Sequence, residues 1–127
     1  MSDRKSIFSQ MQEQESSEWL EVALGQRKEV SFARNRLSMA HCQQIGQELA
    51  SNTTLTLLNL HQTKIGDDGI KHICEGLAVN DILKDLYLGG CGFTDRGATY
   101  LSDALKRNYC LDTLNIQFNK VGETSSN

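Results

Sequence analysis

Three histidines are the side chains in this sequence that are best suited to acid–base chemistry or to metal binding. His41 and His72 fall in segments with the apolar spacing of helices, whereas His61 follows a short apolar run that is typical of a strand. A metal site needs three or four ligands that converge on one point. His72 and Cys74 are two positions apart and therefore point away from each other on a helix. The sequence therefore predicts no metal site and no cofactor.

The four cysteines do not have the spacing of a metal-binding or redox motif. Cys42, Cys74, Cys91 and Cys110 include no C-x-x-C pair, and the first ten residues lack the apolar core of a secretory signal. Thiols of a chain without such a signal are expected to stay reduced. The sequence therefore predicts a cytoplasmic protein with free thiols, and the nucleus is the alternative location. Cys91 falls in a turn, where we expect its side chain to bind backbone groups.

The glycine-rich stretch from Leu88 to Gly92 has the position of a phosphate-binding loop, because it follows an expected strand and precedes an expected helix. It lacks the G-K-[ST] ending of a P-loop. The chain contains neither a G-x-S-x-G motif nor an H-E-x-x-H motif. No nucleophile, base and orienting group stand at a recognisable spacing, so the sequence predicts a protein that is not an enzyme.

Charge and hydropathy argue against two classes of partner. The chain of 127 residues has a net charge of −3 and a pI near 5.5, whereas a nucleic-acid-binding surface is normally basic. No apolar run approaches the roughly 18 residues that a membrane-spanning helix requires. We therefore expect no nucleic-acid partner and no membrane insertion, and we expect a protein partner instead.

Regularly spaced leucines form the strongest pattern in the sequence. The stretch from Leu83 to Phe93 reads L-x-x-L-x-L-x-x-C-x-F, and further copies begin at Leu55 and at Leu111, at equal distances before and after it. A degenerate fourth copy begins near Arg27, at the same spacing. The residues that we expect to form the core of the repeats are Leu55, Leu58, Leu60, Ile65, Leu83, Leu86, Leu88, Phe93, Leu111, Leu114 and Ile116.

A second set of apolar residues keeps the same period and predicts the helices. Ile45, Ile73 and Leu101 are separated by the spacing of the strand leucines, and each is followed by a leucine four positions later, as one face of a helix requires. An asparagine follows that leucine by three positions in every copy. Asparagine tolerates the left-handed backbone that ends many helices, so we expect it to end each helix in that conformation.

The combined pattern resembles the leucine-rich repeat family, and in particular its 28-residue, ribonuclease-inhibitor-like subtype. The resemblance covers about Arg27 to Val121. It implies an α/β solenoid, which is a short right-handed superhelix with a parallel sheet on its concave side and helices on its convex side. The mammalian ribonuclease inhibitor alternates repeat lengths, so the constant length here favours the intracellular immune-receptor and Ran GTPase-activating-protein branches of the subtype.

The repeat pattern divides the chain into an N-terminal helical cap or arm, residues 1–26, and a leucine-rich repeat domain, residues 27–127. The repeats span about 27–54, 55–82, 83–110 and, as a partial copy, 111–127. We expect parallel strands near residues 29–32, 57–60, 85–88 and 113–116. We expect helices near residues 39–50, 67–78 and 95–106.

The fourth repeat is expected to lack its helix, because the sequence given ends at Asn127, where that helix should begin. Leu114, Ile116 and Val121 would then be partly open beside an unpaired strand edge, which favours pairing with another chain. Either the protein is part of a longer repeat array, or another chain covers this end. The isolated chain is expected to fray at this end or to pair with a second copy. In the second case we expect a homodimer about a two-fold axis.

Residues that flank the core leucines of each strand are expected on the concave face, because side chains alternate along a strand. The candidate partner-binding residues are Leu57, Asn59, His61, Asp85, Tyr87, Asn115, Gln117 and Phe118. Leu57 and Tyr87 are expected to be exposed and adjacent near the middle of this face. Together with Phe118 they are candidate apolar anchors, since tyrosine and other large side chains dominate many interfaces.

These patterns favour a non-enzymatic protein–protein interaction module that presents its concave sheet to a protein partner. The alternatives are a GTPase-regulating domain similar to the Ran GTPase-activating protein and a fragment of a larger leucine-rich-repeat receptor. A ribonuclease-inhibitor-like function would need many more repeats and a strongly acidic surface.

Overall fold

Strands and helices alternate along the part of the chain that the computed structural model describes, residues 27–121. In chain order the elements are β1 (Glu29–Ser31), α1 (Met39–Ser51), β2 (Leu57–Asn59), α2 (Gly66–Leu77), β3 (Asp85–Tyr87), α3 (Asp95–Arg107) and β4 (Thr113–Asn115). Each observed strand is one residue shorter at its C-terminal end than the sequence predicts. The cap or arm predicted for residues 1–26 lies outside the described residues.

The four strands form one parallel sheet in the order β1-β2-β3-β4. Equivalent residues of successive repeats pair across it: Val30 pairs with Leu58, Leu58 with Leu86, and Leu86 with Leu114. Each strand is therefore displaced from the next by one whole 28-residue repeat. This arrangement confirms the predicted fold class, an α/β leucine-rich-repeat solenoid.

A single apolar core lies between the sheet and the helices. Eight of the residues expected to form it are buried, namely Leu55, Leu58, Leu60, Ile65, Leu83, Leu86, Leu88 and Phe93. The other three, Leu111, Leu114 and Ile116, pack against the same core and are only partly buried. Burial therefore decreases from the third repeat to the fourth, because no further described repeat covers the fourth.

Asn80 joins the end of α2 to the strand that follows. Its buried side chain donates from Nδ2 to the carbonyl oxygen of Leu49 in the preceding repeat, at 2.8 Å. Its Oδ1 atom accepts from the backbone N–H groups of Ile82 and Leu83, at 2.9 and 2.7 Å. One side chain thus satisfies backbone groups that the helix ends and the turn leave unpaired.

The asparagines at the ends of α1 and α3 use their side chains in a similar way. Oδ1 of Asn52 accepts from the N–H groups of Thr54 and Leu55, and Nδ2 of Asn108 donates to the carbonyl oxygen of Leu77 at 2.8 Å. The predicted left-handed conformation is wrong, because Asn52 and Asn108 have φ of −73° and −100°. These asparagines end their helices through side-chain hydrogen bonds in an extended backbone conformation.

Helices α1 and α2 approach each other so closely that their backbones touch. A Cβ atom at Gly46 would overlap the carbonyl oxygen of His72, and a Cβ atom at Gly76 would overlap the carbonyl oxygen of Gly46. Only glycine therefore fits at these two positions.

Among the described helices, none is long and apolar enough to cross a membrane.

We expect Leu86→Ala to lower the free energy of unfolding by about 2–5 kcal/mol, because it leaves a cavity with packed repeats on both sides. Leu114 is the equivalent residue of β4 and is only partly buried, so Leu114→Ala should cost less. Urea denaturation followed by circular dichroism measures both losses. Equal losses would contradict the difference in burial between the two repeats.

Asn80→Ala should destabilise the protein by about 1–3 kcal/mol, since it leaves the Leu49 carbonyl and the Leu83 N–H buried without a partner. Asn59→Ala is the control. Asn59 is half-buried on the sheet surface, where water can replace the bond that its Oδ1 accepts from the His61 N–H. Thermal unfolding of the two variants measures the difference. A loss for Asn80→Ala no larger than for Asn59→Ala would show that the buried bonds do not stabilise the repeat junction.

Candidate functional site

The concave face of the sheet carries three columns of side chains from equivalent positions of the four repeats. The first column is Glu29, Leu57, Asp85 and Thr113; the second is Ser31, Asn59, Tyr87 and Asn115; the third is Ala33, His61, Gly89 and Gln117. Between the first two columns the central residue of each strand points into the core, as the alternation along a strand requires. Seven of the eight predicted binding residues belong to these columns, and Phe118 lies at the turn beside the third.

Leu57 and Tyr87 lie on the same face but are not directly paired. Leu57 pairs with Asp85 in the first column, and Tyr87 pairs with Asn59 in the second. The two side chains are therefore diagonal neighbours, with Leu57 in the first column and not in the middle one. Both are half-buried, whereas the sequence predicts that they are exposed.

His61 is fixed by a hydrogen bond from the neighbouring repeat. Its Nδ1 atom accepts a hydrogen bond from the backbone N–H of Gly89 at 2.7 Å, which places the proton of the neutral ring on Nε2. Its ring centroid is 5.4 Å from that of Tyr87, with an interplanar angle of 35°. A Cβ atom at Gly89 would lie 2.6 Å from Nδ1, so a side chain there would displace the imidazole. The sequence carried a signal for this contact, a glycine one repeat length after a histidine.

The third column and the turn beside it form an open groove of about 480 Å³. All four repeats contribute to its walls, among them Arg34 from the first, His61 from the second, Gly89 from the third and Gln117 from the fourth. Of the predicted binding residues, the groove is lined by Asn59, His61, Asn115, Gln117 and Phe118. Leu57, Asp85 and Tyr87 do not line it: Leu57 and Asp85 belong to the first column, at the strand starts, and Tyr87 is the last residue of β3, in the second column.

Phe118 is held in a backbone conformation that bulky residues rarely adopt. Its φ is 63°, and the equivalent residues Arg34 and Gln62 have φ of 68° and 59°. The fourth residue at this position is Gly90, with φ of 67°. The turn therefore imposes the same left-handed geometry in every repeat, and in the fourth it presents a phenylalanine that is 88% exposed. Local strain of this kind is often found at functional sites.

The other two histidines take part in local contacts on the helices. His41 Nδ1 accepts from the backbone N–H of Ser38 at 3.1 Å at the start of α1, and burial lowers the pKa of His41. His72 Nδ1 lies 3.6 Å from a carboxylate oxygen of Glu75. Within residues 27–121, no group of three or more histidine, cysteine or acidic side chains is arranged to hold a metal ion.

Three of the four cysteines are buried structural residues. Burial raises the pKa of Cys42 and of Cys74 to about 12 each, so neither thiol is ionised near neutral pH. Cys91 donates from Sγ to the carbonyl oxygen of Leu60 at 2.9 Å, and burial raises its pKa as well. Cys91 therefore holds the turn of the third repeat against the second. Cys110 is half-buried.

Comparison with known proteins identifies the same repeats. A family model described as Leucine Rich repeat matches residues 51–74 and 79–102. "NACHT, LRR and PYD domains-containing protein 7" from Homo sapiens is 37% identical over 93 residues, which are 72% of this chain and 10% of that protein. The ribonuclease inhibitor of Sus scrofa is 35% identical over 88 residues, which are 68% of this chain and 19% of the inhibitor. This chain thus spans a small part of the length of either relative.

A solved structure shares the fold. The chain described as "Leiomodin-1 Actin-Binding Site 2 (ABS2)" superposes with a TM-score of 0.72 at 23% sequence identity, over 88% of this chain and 64% of that one. The parallel sheet, the 28-residue register and the matched relatives all agree with the subtype that the leucine pattern predicts. The chain belongs to the leucine-rich repeat family, and its repeats are of the ribonuclease-inhibitor-like type.

Proposed function

We propose that this repeat domain is a non-enzymatic protein-interaction module whose concave sheet binds a protein partner. The observation that carries the proposal is the groove to which all four repeats contribute, with an exposed aromatic ring at its edge. Half-buried Leu57, at the start of β2, and half-buried Tyr87, at the end of β3, lie on the same face outside the groove. An interface that combines apolar anchors with polar side chains has the composition of known protein-binding sites.

The backbone of this face is held rigidly by hydrogen bonds between the strands. The N–H of Leu60 donates to the carbonyl of Tyr87 at 2.8 Å, and the N–H of Leu88 donates to the carbonyl of Asn115 at 2.7 Å. Polar side chains are also tied to the sheet, as the bond between His61 and Gly89 illustrates. A surface that is ordered before binding loses less conformational entropy when a partner arrives.

The family relationship supports binding over catalysis. The porcine relative is named as an inhibitor of a ribonuclease, so repeats similar to these occur in a protein that is defined by its protein target. Because this chain spans 19% of that relative, we do not propose the ribonuclease as the partner of this chain.

Leu57→Asp combined with Tyr87→Ala should abolish capture of the partner, because it puts a charge in the first column and removes the largest ring of the second. The control combines Lys71→Ala with Lys106→Ala on exposed positions of α2 and α3. Pull-down from cell lysate with the intact chain and with each double variant tests this, once circular dichroism has shown that all three fold. If the helix control loses the partner and the sheet variant keeps it, the convex side is the binding face.

We also propose that the open edge of β4 pairs with the same edge of a second copy of the chain. No strand among residues 27–121 pairs with this edge, and an apolar groove of about 400 Å³ between α3 and β4 lies next to it. The groove is lined mainly by Leu101, Leu105, Leu114 and Ile116. Two identical edges meet most simply about a two-fold axis, which gives a closed dimer.

Light scattering over a range of concentrations should show a mass that rises toward that of a dimer. Ile116→Glu places a charge in the apolar groove and should return the mass to that of one chain. Gln117→Glu, on the neighbouring concave position, is the control with the same new charge and should leave the dimer intact. A wild-type mass equal to one chain at every concentration would refute the pairing of β4 edges.

A further inference from the structure

Positive charge is concentrated where the strands end. Each repeat has a segment that runs from the middle of its strand through the following turn. None of these four segments contains an aspartate or a glutamate; they are residues 30–37, 58–65, 86–93 and 114–121. Four exposed cations belong to these segments, and we call them the basic rim: Arg34, Arg36, Lys64 and Lys120. The whole chain has a net charge of −3, so the rim is opposite in sign to the rest of the protein.

The cations of the basic rim have no ion-pair partner in the part of the chain that the structure describes. The ion pairs there join His72 to Glu75, Arg96 to Asp67 and Asp68, and Lys106 to Asp103. All of these pairs lie on the helices. Within residues 27–121, the four charges of the rim are therefore not offset by ion pairs.

The acidic residues that follow Lys64 in the sequence are already engaged by the next repeat. The carboxylate of Asp67 accepts from the backbone N–H and the hydroxyl of Thr94 at 2.7 and 2.8 Å, and from the N–H of Gly97 at 2.8 Å. Burial alone would raise the pKa of Asp67. The hydrogen bonds to its carboxylate and the positive charge of nearby Arg96 outweigh the effect of burial, and they hold the pKa of Asp67 below its usual value. Asp68 binds Arg96 at 3.1 Å. Neither carboxylate neutralises the rim.

The repeat register places three of the four rim cations in a row. Arg36, Lys64 and Lys120 occupy the same position in the first, second and fourth repeats, and Gly92 occupies it in the third. Neighbouring strands lie about 4.8 Å apart, so the first and fourth repeats are separated by about 14 Å. An extended peptide advances about 3.3 Å per residue, so about five residues cover this distance. A segment with acidic side chains at alternate positions therefore matches the row.

Net charge also differs between the two ends of the strands. The first column, at the strand starts, carries Glu29 and Asp85, and the second column carries no charged residue. Lys28 and Lys84 are exposed beside Glu29 and Asp85 and offset their charge, so an acidic ligand is attracted more strongly to the strand ends, where four cations stand without an acidic residue. Phe118 stands beside the groove at the same end and offers an apolar contact. Complementary charge of this kind selects partners and orients them.

We infer that the partner of the proposed function presents an acidic, extended segment that crosses the strand ends between the basic rim and the groove. Its carboxylates face Arg36, Lys64 and Lys120, and an apolar side chain of the segment contacts Phe118. This inference rests on the proposed function, since it names the part of the protein partner that the concave face recognises. The acidic overall charge of this chain favours a peptide over a nucleic acid as the source of the negative charge.

Selection from phage-displayed random peptides of about twelve residues, more than twice the length that spans the row, tests the inference with the intact chain. The selected peptides should be enriched in aspartate and glutamate relative to the starting library. One such peptide, synthesised with a fluorescent label, should bind at least about tenfold more weakly to Arg36→Glu/Lys64→Glu than to the wild type. Lys28→Glu/Lys71→Glu, which changes the net charge equally outside the rim, should bind almost as well as the wild type.

Other outcomes would overturn the inference. Selected peptides without acidic enrichment, no selected peptide at all, or equal weakening by both double variants would each show that the rim does not recognise acidic segments. If a labelled oligodeoxynucleotide binds more tightly than the peptide and displaces it, the rim is a nucleic-acid-binding site. If neutral peptides are selected and lose binding on Leu57→Asp/Tyr87→Ala, the proposed function stands and only the acidic specificity fails.

Discussion

Buried asparagine side chains hold successive repeats in register. The Nδ2 group of Asn108 donates to the carbonyl oxygens of Leu77 and Asn80, both at 2.8 Å. Its Oδ1 atom accepts from the backbone N–H groups of Cys110 and Leu111, at 2.9 and 2.8 Å. A slip of one residue between repeats would break these bonds and leave several buried polar groups unpaired, which is costly. The amides therefore select one alignment of the repeats, while apolar burial supplies the general attraction between them.

The asparagines also determine the alignment of the concave face, because the spacing between each asparagine and the next strand is constant. In each of the last three described repeats the strand begins five residues after the asparagine, so the amide that fixes the helix end also fixes where the strand starts. The three columns align for that reason, and side chains from four repeats meet in one groove. Recognition by this face consequently depends on buried residues that no ligand touches. The helix side and the sheet side of the repeat are two parts of one hydrogen-bonded arrangement.

The leucine period was sufficient to predict the sheet, its parallel order and the helices, because burial repeats at the same positions in every copy. It did not predict how Asn52 and Asn108 end their helices, since a side-chain amide can satisfy backbone groups without a left-handed turn. The contact between His61 and Gly89 joins residues in different repeats and becomes visible only when the register is known. Phe118 has a positive φ because of its place in the turn, and the equivalent residues of the other repeats are an arginine, a glutamine and a glycine with the same conformation. Residue type alone therefore did not indicate the conformation of Phe118.

The contact between the backbones of α1 and α2 also affects the curvature of the solenoid. A solenoid of this type bends because helices pack about 8–10 Å apart, whereas strands are about 4.8 Å apart. Gly46 and Gly76 reduce that mismatch between the first two helices. At the equivalent positions between α2 and α3 the residues are Cys74 and Ala104, whose side chains occupy space that glycine leaves free. We therefore expect a flatter arc over the first two repeats and a smaller radius over the next, which would enclose an elongated ligand more closely toward β4 than toward β1.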